Sequence, residues 1–246
     1  MEQLAKFRSE GQLIYANFSL PREGAPCIVM SHGFESSKDG DKWLVLAPKF
    51  YDANFACLRF SYRGCGEGEE RSEGEFQDTT LSGRIKDYRA AIDFIESTEV
   101  DVNRLGVVGS SFGGMVALAA QDNRIKAMVT LATPAKLPMP TEEDLSIYQS
   151  EEFSELPSGR RLRTSFLGDV QQYDISEAIG KLSCPVLIIH GSADETVPVR
   201  DAHTLYDSAK EPRHLIVIEG GNHVFDDPTH LEQVASLTLN WFKQYL

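Results

Sequence analysis

The sequence predicts an α/β domain in which a mostly parallel central sheet is covered by helices on both faces. Strand-like and helix-like segments alternate along most of the 246 residues, a pattern typical of parallel sheets. A Gly-x-Ser-x-Gly motif lies between a strand-like and a helix-like segment. The alternation is interrupted once, between residues 132 and 182, by a polar and charge-rich stretch. We therefore expect a single domain over residues 1–246 with one insertion at about 135–173.

The first half of the pattern begins with a partly exposed strand, because apolar and polar residues alternate from Gln12 to Leu20. Short apolar runs predict buried strands at 25–30 and 55–60, and apolar residues at helical spacing predict a helix at 43–51 between them. A long amphipathic helix is expected at 79–95. Its apolar face consists of Ile85, Tyr88, Ala91, Ile92 and Ile95.

The second half continues the same alternation. Further strands are expected at 105–108, 127–131, 186–189 and 214–218. Helices are expected at 115–120, directly after the motif, and at 229–245. The segment Asp174-Ile175-Ser176-Glu177 has the pattern of a helix cap and first turn, so the helical layer should resume there after the interruption.

The Gly-x-Ser-x-Gly motif occupies residues 109–113, and its position predicts a nucleophile elbow. The bare pattern also arises by chance, but a strand before it and a helix after it are the context in which it holds a reactive serine. Gly109 and Gly113 flank Ser111 because a Cβ at either position would collide with the strand or the start of the helix. We interpret Ser111 as the candidate nucleophile, lifted clear of the sheet by the turn.

A serine hydroxyl is a weak nucleophile at neutral pH and needs a base, for which the chain offers six histidines. His223 follows the expected strand at 214–218 on a Gly-rich loop, and Asp194 follows the expected strand at 186–189. Ligands of open α/β sheets bind beyond the carboxyl ends of the strands, so both side chains should reach the same rim as Ser111. The chain order Ser, Asp, His is one in which catalytic triads occur.

Other side chains compete for the roles of base and acid. His32 and His190 each precede a glycine at a strand end, where a histidine is more often a structural hydrogen-bonding group. Three histidines lie on a helix face, at a strand start and in the first turn of the last helix: His203, His214 and His230. Glu195 and Asp201 remain alternatives to Asp194, which we favour because it directly follows the strand.

A site for acyl transfer also needs hydrogen-bond donors for the oxyanion of the tetrahedral intermediate. The elbow supplies one candidate, the backbone N–H of Phe112. The second candidate is the N–H of Phe34, in the loop after the expected strand at 25–30, because Gly33 lets the backbone turn towards the site. The alternative is that Gly33 is an ordinary glycine between a strand and a loop.

Four motifs of the chain together resemble the α/β-hydrolase superfamily. They are Ser31-His32-Gly33-Phe34, Gly109-Ser110-Ser111-Phe112-Gly113, His190-Gly191-Ser192-Ala193-Asp194-Glu195-Thr196-Val197-Pro198 and Gly220-Gly221-Asn222-His223. Residues 60–68 are also similar to the Arg-Gly-x-Gly loop that follows a strand in these folds. The branch that the chain resembles is the small serine esterases similar to cinnamoyl and feruloyl esterases. The resemblance spans residue 25 to the C-terminus.

The resemblance implies an α/β-hydrolase fold and a carboxylic ester hydrolase. It implies an acyl-enzyme on Ser111, with His223 as base, Asp194 orienting it, and the Phe34 and Phe112 N–H groups as oxyanion donors. Short-chain or hydroxycinnamoyl-type esters are the implied small-molecule substrates, and the chemistry needs no cofactor or metal. A thioesterase, amidase or peptidase with the same triad stays an alternative, as does a non-catalytic ligand-binding member of the fold.

The charge-rich stretch at 141–163 lies inside the expected insertion, and long connections of this kind often act as lids. Interspersed apolar residues give it an apolar underside, which favours a small helical cap over a solvated excursion. They are Leu145, Ile147, Tyr148, Phe153, Leu156, Leu162 and Phe166. We expect Asp144, Tyr148 and Gln149 to offer hydrogen bonds to a substrate with an aromatic ring and a polar edge.

Composition restricts the partners of the chain. Its formal net charge of −13 argues against nucleic acid or an anionic membrane as a partner. No apolar run approaches the length of a membrane helix, and the first residues lack the apolar core of a signal peptide, so a cytoplasmic location is expected. The oligomeric state stays open.

The four cysteines predict neither a metal site nor disulfides, because their spacing lacks Cys-x-x-Cys pairs and matching histidine pairs. Cys27, Cys57 and Cys184 lie in or beside apolar strands and are expected to fill the core. Cys65 lies in a Gly-rich loop and is expected to be a free, exposed thiol.

Overall fold

In this computed structural model the structure describes residues 2–137 and 151–246, and all elements named below lie in these two ranges. The strands are β1 (Glu2–Ser9), β2 (Gln12–Ser19), β3 (Cys27–Ser31), β4 (Ala56–Phe60), β5 (Leu105–Ser110), β6 (Ile125–Leu131), β7 (Phe153–Glu155), β8 (Arg161–Arg163), β9 (Val186–Gly191) and β10 (Arg213–Ile218). The helices are α1 (Asp41–Asp52), α2 (Leu81–Glu96), α3 (Phe112–Ala120), α4 (Ser165–Val170), α5 (Ile175–Lys181), α6 (Arg200–Ser208) and α7 (Pro228–Tyr245).

The central sheet has the strand order β1-β2-β4-β3-β5-β6-β9-β10. The pairs from β4 to β10 are all parallel, whereas β1 with β2 and β2 with β4 are antiparallel. Parallel strands must be covered on both faces, and β3, β4, β5 and β9 are accordingly buried along their whole length. The predicted mostly parallel sheet is confirmed.

Helices cover both faces of this sheet and enclose two separate hydrophobic cores. One core contains the buried residues of α2, α3 and α6, among them Ile85, Val116 and Leu205. The other contains those of α1 and α7, including Trp43 and Phe242. The predicted helices at 43–51, 79–95, 115–120 and 229–245 correspond to α1, α2, α3 and α7 to within a few residues, because the apolar spacing that predicted them is the spacing that the cores bury. No range was predicted for α4 or α6.

Strand β1 is an element that the sequence did not predict. It lies at the edge of the sheet and most of its side chains are exposed, so it lacks a clear pattern of burial. Glu10 and Gly11 join β1 to β2 with positive φ values of 48° and 86°. Both central residues of a type I′ hairpin turn need positive φ, and Asn-Gly or Asp-Gly is its usual signal. Glu-Gly at this turn is a weaker signal.

The described part of the expected cap, residues 151–173, contains the helix α4 and also an antiparallel hairpin of β7 and β8. The hairpin was not predicted from the sequence. Its turn closes through hydrogen bonds from Leu156 N–H to the Arg160 carbonyl and from Gly159 N–H to the Leu156 carbonyl. Gly159 has a φ of 81°, which favours glycine.

Helix α5 begins where the sequence predicted a cap, because the Asp174 carboxylate accepts a hydrogen bond of 2.8 Å from the Glu177 N–H. Cys65 is a free thiol as expected, but the expectation that it is exposed is wrong. Its loop folds back on itself, with Cys65 N–H donating to the Tyr62 carbonyl, and the thiol is buried. Cys27 and Cys57 fill the core as expected, whereas Cys184 is partly exposed. Within the described residues, no helix is long and apolar enough to cross a membrane.

Candidate active site

Ser111 occupies a sharp turn between β5 and α3. Its φ of 53° and ψ of −124° lie in a region that residues other than glycine rarely adopt. The turn is held by hydrogen bonds from Ser111 N–H to the Leu131 carbonyl, at 2.8 Å, and from Gly114 N–H to the Ser111 carbonyl, at 2.9 Å. The serine is therefore kept in a strained conformation by the strand and the helix on either side of it.

The two motif glycines are required by close backbone contacts, as the sequence predicted. A Cβ on Gly109 would lie 2.6 Å from the Cα of Gly114, at the start of the helix. A Cβ on Gly113 would lie 2.2 Å from the carbonyl oxygen of Ser31, at the end of the neighbouring strand β3. Only glycine at these positions lets α3 start directly against the sheet.

The structure brings the three predicted side chains into one hydrogen-bonded chain. The Ser111 Oγ lies 3.0 Å from His223 Nε2, and His223 Nδ1 lies 2.8 Å from Asp194 Oδ2. Ser111 precedes His223 by 112 residues, so tertiary packing alone creates this contact. The Ser111 hydroxyl can donate to Nε2 if Nδ1 carries the ring proton and donates it to Asp194.

The competing residues occupy other places. Glu195 is exposed, and the Asp201 carboxylate accepts a hydrogen bond from the Ala135 N–H at 3.0 Å. His32 is buried and bonded to backbone groups, as expected of a structural histidine. His190 is also buried, and its Nε2 lies 2.9 Å from the Val197 carbonyl oxygen and 3.2 Å from Asp194 Oδ2. The remaining three lie on α6, at the start of β10 and in the first turn of α7: His203, His214 and His230.

Asp194 is built into its loop as an anion. Its Oδ1 accepts hydrogen bonds from Thr196 and Val197 N–H at 2.9 and 2.8 Å, and its side chain is fully buried. Burial by itself would raise the pKa of this carboxyl. Hydrogen bonds from His190, His223 and the Val197 N–H outweigh burial and hold the pKa of Asp194 well below its usual range. The carboxylate is therefore charged at every pH at which the fold is expected to persist.

The loops that carry Asp194 and His223 are tied to each other. Ala193 N–H donates to the Gly221 carbonyl at 3.0 Å, and Gly220 N–H donates to Ser192 Oγ at 2.8 Å. These bonds join the ends of the adjacent parallel strands β9 and β10. The geometry between the carboxylate and the imidazole is therefore constrained by hydrogen bonds between the two loops.

The two candidate oxyanion donors lie on loops that flank the serine. A Cβ on Gly33 would lie 3.5 Å from the Ser111 Cβ, which places the loop of Phe34 beside the nucleophile. The rings of Phe34 and Phe112 are 5.2 Å apart. In the part of the chain that the structure describes, neither of their N–H groups donates to a protein acceptor. Both N–H groups therefore stay candidates for binding a ligand oxygen at Ser111.

Lys42 is a charged neighbour of the site that the sequence did not single out. Its Nζ donates to Ser110 Oγ at 2.8 Å and lies 5.9 Å from the centre of the Phe225 ring. Burial lowers the pKa of Lys42 to about 8, although the negative charge of Asp194 acts in the opposite direction. No sequence pattern identified it, because a lysine near the start of a predicted helix is expected to point into solvent.

A cavity of about 640 Å³ opens beside Ser111. Its wall combines the elbow, the loop of Phe34 and the cap. Three aromatic rings, Phe34, Phe112 and Phe166, contact one another there with centroids 5.2 to 5.7 Å apart. The other described lining residues are Pro134, Lys136, Leu137, Ser154, Leu156, Pro157, Leu162, Arg163, Thr164, Leu167, Thr196, Val197, Pro198, Arg200 and Asp201. The predicted substrate contacts, Asp144, Tyr148 and Gln149, lie outside the described residues.

Across residues 2–137 and 151–246, no group of three or more histidine, cysteine or acidic side chains is arranged to hold a metal ion.

Comparison with known families identifies the family of the chain. Residues 44–246 match the family model of the prolyl oligopeptidase family. The chain belongs to this family. Members of the prolyl oligopeptidase family are hydrolases, and the central sheet, the elbow after β5 and the loops after β9 and β10 give this member the α/β-hydrolase architecture. The resemblance that the sequence motifs indicated is confirmed at this level.

Individual proteins and a solved structure are also similar to this prolyl oligopeptidase family member. A 31.7 kDa protein from the traX-finO intergenic region of Escherichia coli is 27% identical over 270 residues, covering 90% of this chain and 91% of the relative. The quorum-quenching protein AidA of Acinetobacter baumannii is 34% identical over 108 residues, covering 43% of this chain and 34% of AidA. Est1E from Butyrivibrio proteoclasticus, solved with ferulic acid bound, superposes with a TM-score of 0.87 at 22% identity over 98% of each chain. At that identity the superposition establishes the fold.

Proposed function

We propose that the protein is a carboxylic ester hydrolase in which Ser111, His223 and Asp194 act as a catalytic triad. The observation that carries the proposal is the continuous hydrogen-bonded chain from Ser111 Oγ through the His223 ring to Asp194 Oδ2, with distances of 3.0 and 2.8 Å. A serine, an imidazole and a buried carboxylate in this order form the arrangement that activates a serine for acyl transfer.

Acylation begins when Ser111 Oγ attacks the ester carbonyl carbon and His223 Nε2 takes the hydroxyl proton. The carbonyl electrons move to its oxygen, which the N–H groups of Phe34 and Phe112 bind. Asp194 holds the His223 tautomer and stabilises the imidazolium without itself taking a proton, in keeping with its depressed pKa. The tetrahedral intermediate collapses as His223 returns the proton to the leaving alkoxide, and the acyl group stays on Ser111.

Deacylation repeats these steps with water as the nucleophile. His223 takes a proton from the water, the hydroxide adds to the acyl carbon, and the same two N–H groups bind the oxyanion. Ser111 then leaves with the proton that His223 returns, and the carboxylic acid product is released. None of these steps draws on a cofactor.

The cavity favours an acyl group that contains an aromatic ring or a short chain. Its volume of about 640 Å³ falls within the range for drug-sized ligands, about 300 to 1,000 Å³. The Phe34, Phe112 and Phe166 rings offer faces and edges against which another ring can pack. The binding of ferulic acid by Est1E, which has the same fold, supports hydroxycinnamoyl-type esters as a test substrate class.

A peptidase is the second candidate, because the family to which the chain belongs takes its name from prolyl oligopeptidase. The same triad cleaves amides, esters and thioesters, and the leaving group rather than the nucleophile distinguishes them. Thioesterase and amidase activities stay open for the same reason. A non-catalytic ligand-binding role is the least favoured, since it would not require a serine held in strain beside an imidazole.

The test compares four substrates: p-nitrophenyl acetate, methyl ferulate, p-nitrophenyl palmitate and an N-acylated prolyl p-nitroanilide. We expect turnover of the first two, little of the palmitate and none of the anilide. Ser111→Ala should abolish turnover, by about 10⁴- to 10⁶-fold. A serine-directed aryl phosphonate should add its mass to the wild-type protein and not to the Ala variant.

Three outcomes would overturn the proposal. An Ala variant that keeps more than a tenth of the wild-type rate would exclude Ser111 as the nucleophile. Preferred cleavage of the prolyl anilide would make the protein a peptidase. Binding of methyl ferulate without turnover or labelling by the phosphonate would favour the non-catalytic role.

A further inference from the structure

Arg84, on helix α2, is completely buried behind the loop that carries Phe34. Its guanidinium donates through Nη1 to the Gly33 carbonyl at 3.2 Å and through Nη2 to the Phe34 carbonyl at 2.6 Å. It also lies 5.0 to 5.3 Å from the ring centres of Phe34, Tyr62 and Phe112. The cation therefore touches both the backbone and the side chain of the candidate oxyanion loop.

No carboxylate of the described residues forms an ion pair with Arg84. The nearest acidic residue along the helix, Asp87, is also buried but binds Arg63, with Arg63 Nη2 and Asp87 Oδ1 2.6 Å apart. Arg84 Nε has no hydrogen-bond partner among the described residues. A buried cation without a paired anion destabilises a fold unless its surroundings supply negative potential. Here carbonyl oxygens, the Cys65 sulfur and ring faces surround the guanidinium.

His32 contacts the same peptide group from the other side. Its Nε2 lies 3.0 Å from the Tyr62 N–H, which can only donate, so Nε2 accepts and the ring proton is on Nδ1. Nδ1 lies 2.7 Å from the Gly33 carbonyl oxygen and donates to it. Burial, with a smaller effect of the Arg84 charge, lowers the pKa of His32 to about 3, so the ring stays neutral in this role.

The Gly33 carbonyl and the Phe34 N–H belong to one peptide group, and this fact connects Arg84 to the reacting atoms. Two donors bind the oxygen end of that group, one of them charged. Hydrogen bonds in a chain polarise one another, so donors at the carbonyl make the N–H at the opposite end a stronger donor. Under the proposed mechanism, this N–H is one of the two donors that bind the oxyanion.

We propose that Arg84 is a positioning residue for the oxyanion, which holds and polarises the Gly33–Phe34 peptide so that the Phe34 N–H donates more strongly in the transition state. The inference rests on the proposed function, because it assigns the Phe34 N–H to the oxyanion. In the transition state, the oxyanion then supplies a negative charge that no described carboxylate supplies to Arg84 in the resting protein. Stabilisation that appears only with the oxyanion raises kcat rather than lowering KM.

Kinetics of Arg84→Met and Arg84→Lys test this role, with Arg89→Met as the matched control. Arg89 lies on the same helix and donates to a backbone carbonyl, that of Ala120, at 2.9 Å. Deleting an oxyanion donor outright costs about 10²- to 10³-fold in kcat. For Arg84→Met, which weakens a donor and leaves it in place, we expect a kcat about 10- to 50-fold lower with KM changed less than about threefold. Arg84→Lys keeps the charge, so its kcat should be at least fivefold higher than that of Arg84→Met.

An inhibitor pair separates polarisation from general damage to the loop. An aryl trifluoromethyl ketone adds Ser111 Oγ to its carbonyl carbon, with the serine proton passing to His223 and the negative charge to the ketone oxygen. The matching methyl ketone stays a neutral ligand. In Arg84→Met, the affinity for the trifluoromethyl ketone should fall by the same factor as kcat/KM, while that for the methyl ketone changes less than about twofold. Equal losses for both ketones would mean that Arg84 only supports the loop.

The ¹⁵N chemical shift of Phe34, measured by NMR, reports on the polarisation of the Gly33–Phe34 peptide and requires no catalytic activity. Hydrogen bonds to a peptide carbonyl deshield the nitrogen of the following residue, so the ¹⁵N resonance of Phe34 should move upfield in Arg84→Met and less in Arg84→Lys. Arg89→Met should leave it unchanged. If Arg84→Met does not fold, the kinetics and the Phe34 resonance are both measured on Arg84→Lys instead. An unchanged Phe34 resonance and kcat in folded Arg84 variants would overturn the inference.

Failure of the proposed function would look different. In that case the wild-type protein itself would neither turn over esters nor react with the phosphonate at Ser111. If the wild-type protein is active and the Arg84 variants are unaffected, only the proposed role of Arg84 is rejected and the proposed function stands.

Discussion

Gly191 and Gly221 pack backbone against backbone beneath the candidate site. A Cβ on Gly191 would lie 2.0 Å from the Gly221 carbonyl oxygen, whereas a Cβ on Gly221 would come no closer than 3.2 Å to Gly191 Cα. Gly191 ends strand β9 and precedes the Asp194 loop, and Gly221 precedes His223. This contact sets how close the carboxylate and the imidazole can come.

Alanine at the two glycines should therefore have unequal effects. Gly191→Ala forces the two loops apart, and we expect it to lower the free energy of unfolding by about 2 to 3 kcal/mol. It should also lower esterase kcat at least tenfold, because small displacements of catalytic groups slow the reaction strongly. Gly221→Ala, the control, should cost about 1 kcal/mol or less. Urea unfolding and p-nitrophenyl acetate turnover measure both effects, and equal stabilities for the two variants would contradict the contact.

The backbone of Ser111 should store strain that glycine relieves. Ser111→Ala keeps the φ of 53°, so its stability should stay within about 0.5 kcal/mol of wild type. Ser111→Gly should unfold with about 1 kcal/mol more free energy than the Ala variant, because glycine adopts this conformation without strain. At neighbouring Ser110, an ordinary strand residue, glycine should instead be less stable than alanine. Thermal and urea unfolding of the Ala and Gly variants at both positions measures the stability difference between Gly and Ala, which should have opposite signs at Ser111 and Ser110.

The activity should fall as the pH is lowered, because protonation of the base stops the reaction. A histidine accepts the serine proton only when its ring is neutral, and an imidazole in water has a pKa near 6.5. Burial would raise the pKa of Asp194, but its hydrogen bonds hold it well below the usual range, so this carboxyl adds no second step above pH 4. We expect kcat/KM for p-nitrophenyl acetate to rise once with pH and then to stay level up to pH 8.

Asp194→Asn tests the same arrangement. The amide cannot stabilise an imidazolium, so the variant should lose about 10⁴-fold in kcat near neutral pH while keeping its fold. Asp201→Asn, a change at a carboxylate of α6 that lines the cavity, serves as the control and should lose far less. A flat pH profile of the wild type from pH 5 to 8 would contradict the assignment of His223 as base.

Lys42 should make the stability depend on pH above 8. Burial lowers its pKa in the folded protein to about 8, against a value near 10.4 in the unfolded chain. Below pH 8 the Lys42 amine is charged in both the folded and the unfolded protein. The free energy of unfolding is then lowered by the full cost of burying that charge. Between pH 8 and 10.4 the folded protein loses the proton first, so this cost fades as the pH rises.

Lys42→Met removes that cost, so its stability relative to wild type should be greatest below pH 8. We expect this difference in the free energy of unfolding to shrink by about 1 to 2 kcal/mol between pH 7.5 and 9.5. Lys49→Met, on the same helix, is the control, because its amine pairs with Glu232 at the surface. Urea unfolding at both pH values measures the change. A difference for Lys42→Met that stays constant with pH, like that of the control, would show that the amine is not desolvated.

Phe166 should distinguish aromatic from minimal substrates. It belongs to the cap helix α4, and its ring lies 5.2 Å from that of Phe34 and 5.7 Å from that of Phe112. Phe166→Ala should raise KM for methyl ferulate about tenfold and KM for p-nitrophenyl acetate less than about threefold, because only the larger acyl group reaches the ring. Phe153→Ala, in the cap hairpin but not on the cavity wall, is the control. Equal losses for both esters would mean that the cap does not select the acyl group.

Much of the fold and the candidate site could be predicted from local sequence. The position of Ser111 followed from a strand, two glycines and a helix within a dozen residues. Asp194 and His223 followed from their places directly after apolar strands, since the ends of parallel strands meet at one rim. Buried apolar runs likewise located β3, β4 and β9 to within a residue or two. These inferences succeed because periodicity and turn geometry depend on neighbouring residues.

Other features could not be read from neighbouring residues. Cys65 was expected to be exposed because its loop is rich in glycine, yet the loop folds against α2 and buries the thiol. Strand β1 has little apolar alternation and forms because β2 offers it backbone partners. The cap hairpin depends on a short turn at Gly159, and the expected contacts Asp144, Tyr148 and Gln149 lie outside the described residues.

The sequence by itself determined the mostly parallel sheet, the strained serine turn and the set of residues from which a triad could be chosen. The tertiary structure decided which carboxylate meets His223, and it also placed Arg84 behind the Phe34 peptide and Lys42 beside Ser110. The physical reason is the distance along the chain. A turn or a buried strand is specified by residues close in sequence, whereas a hydrogen bond across 50 or 112 residues exists only after the two cores have packed and fixed both partners.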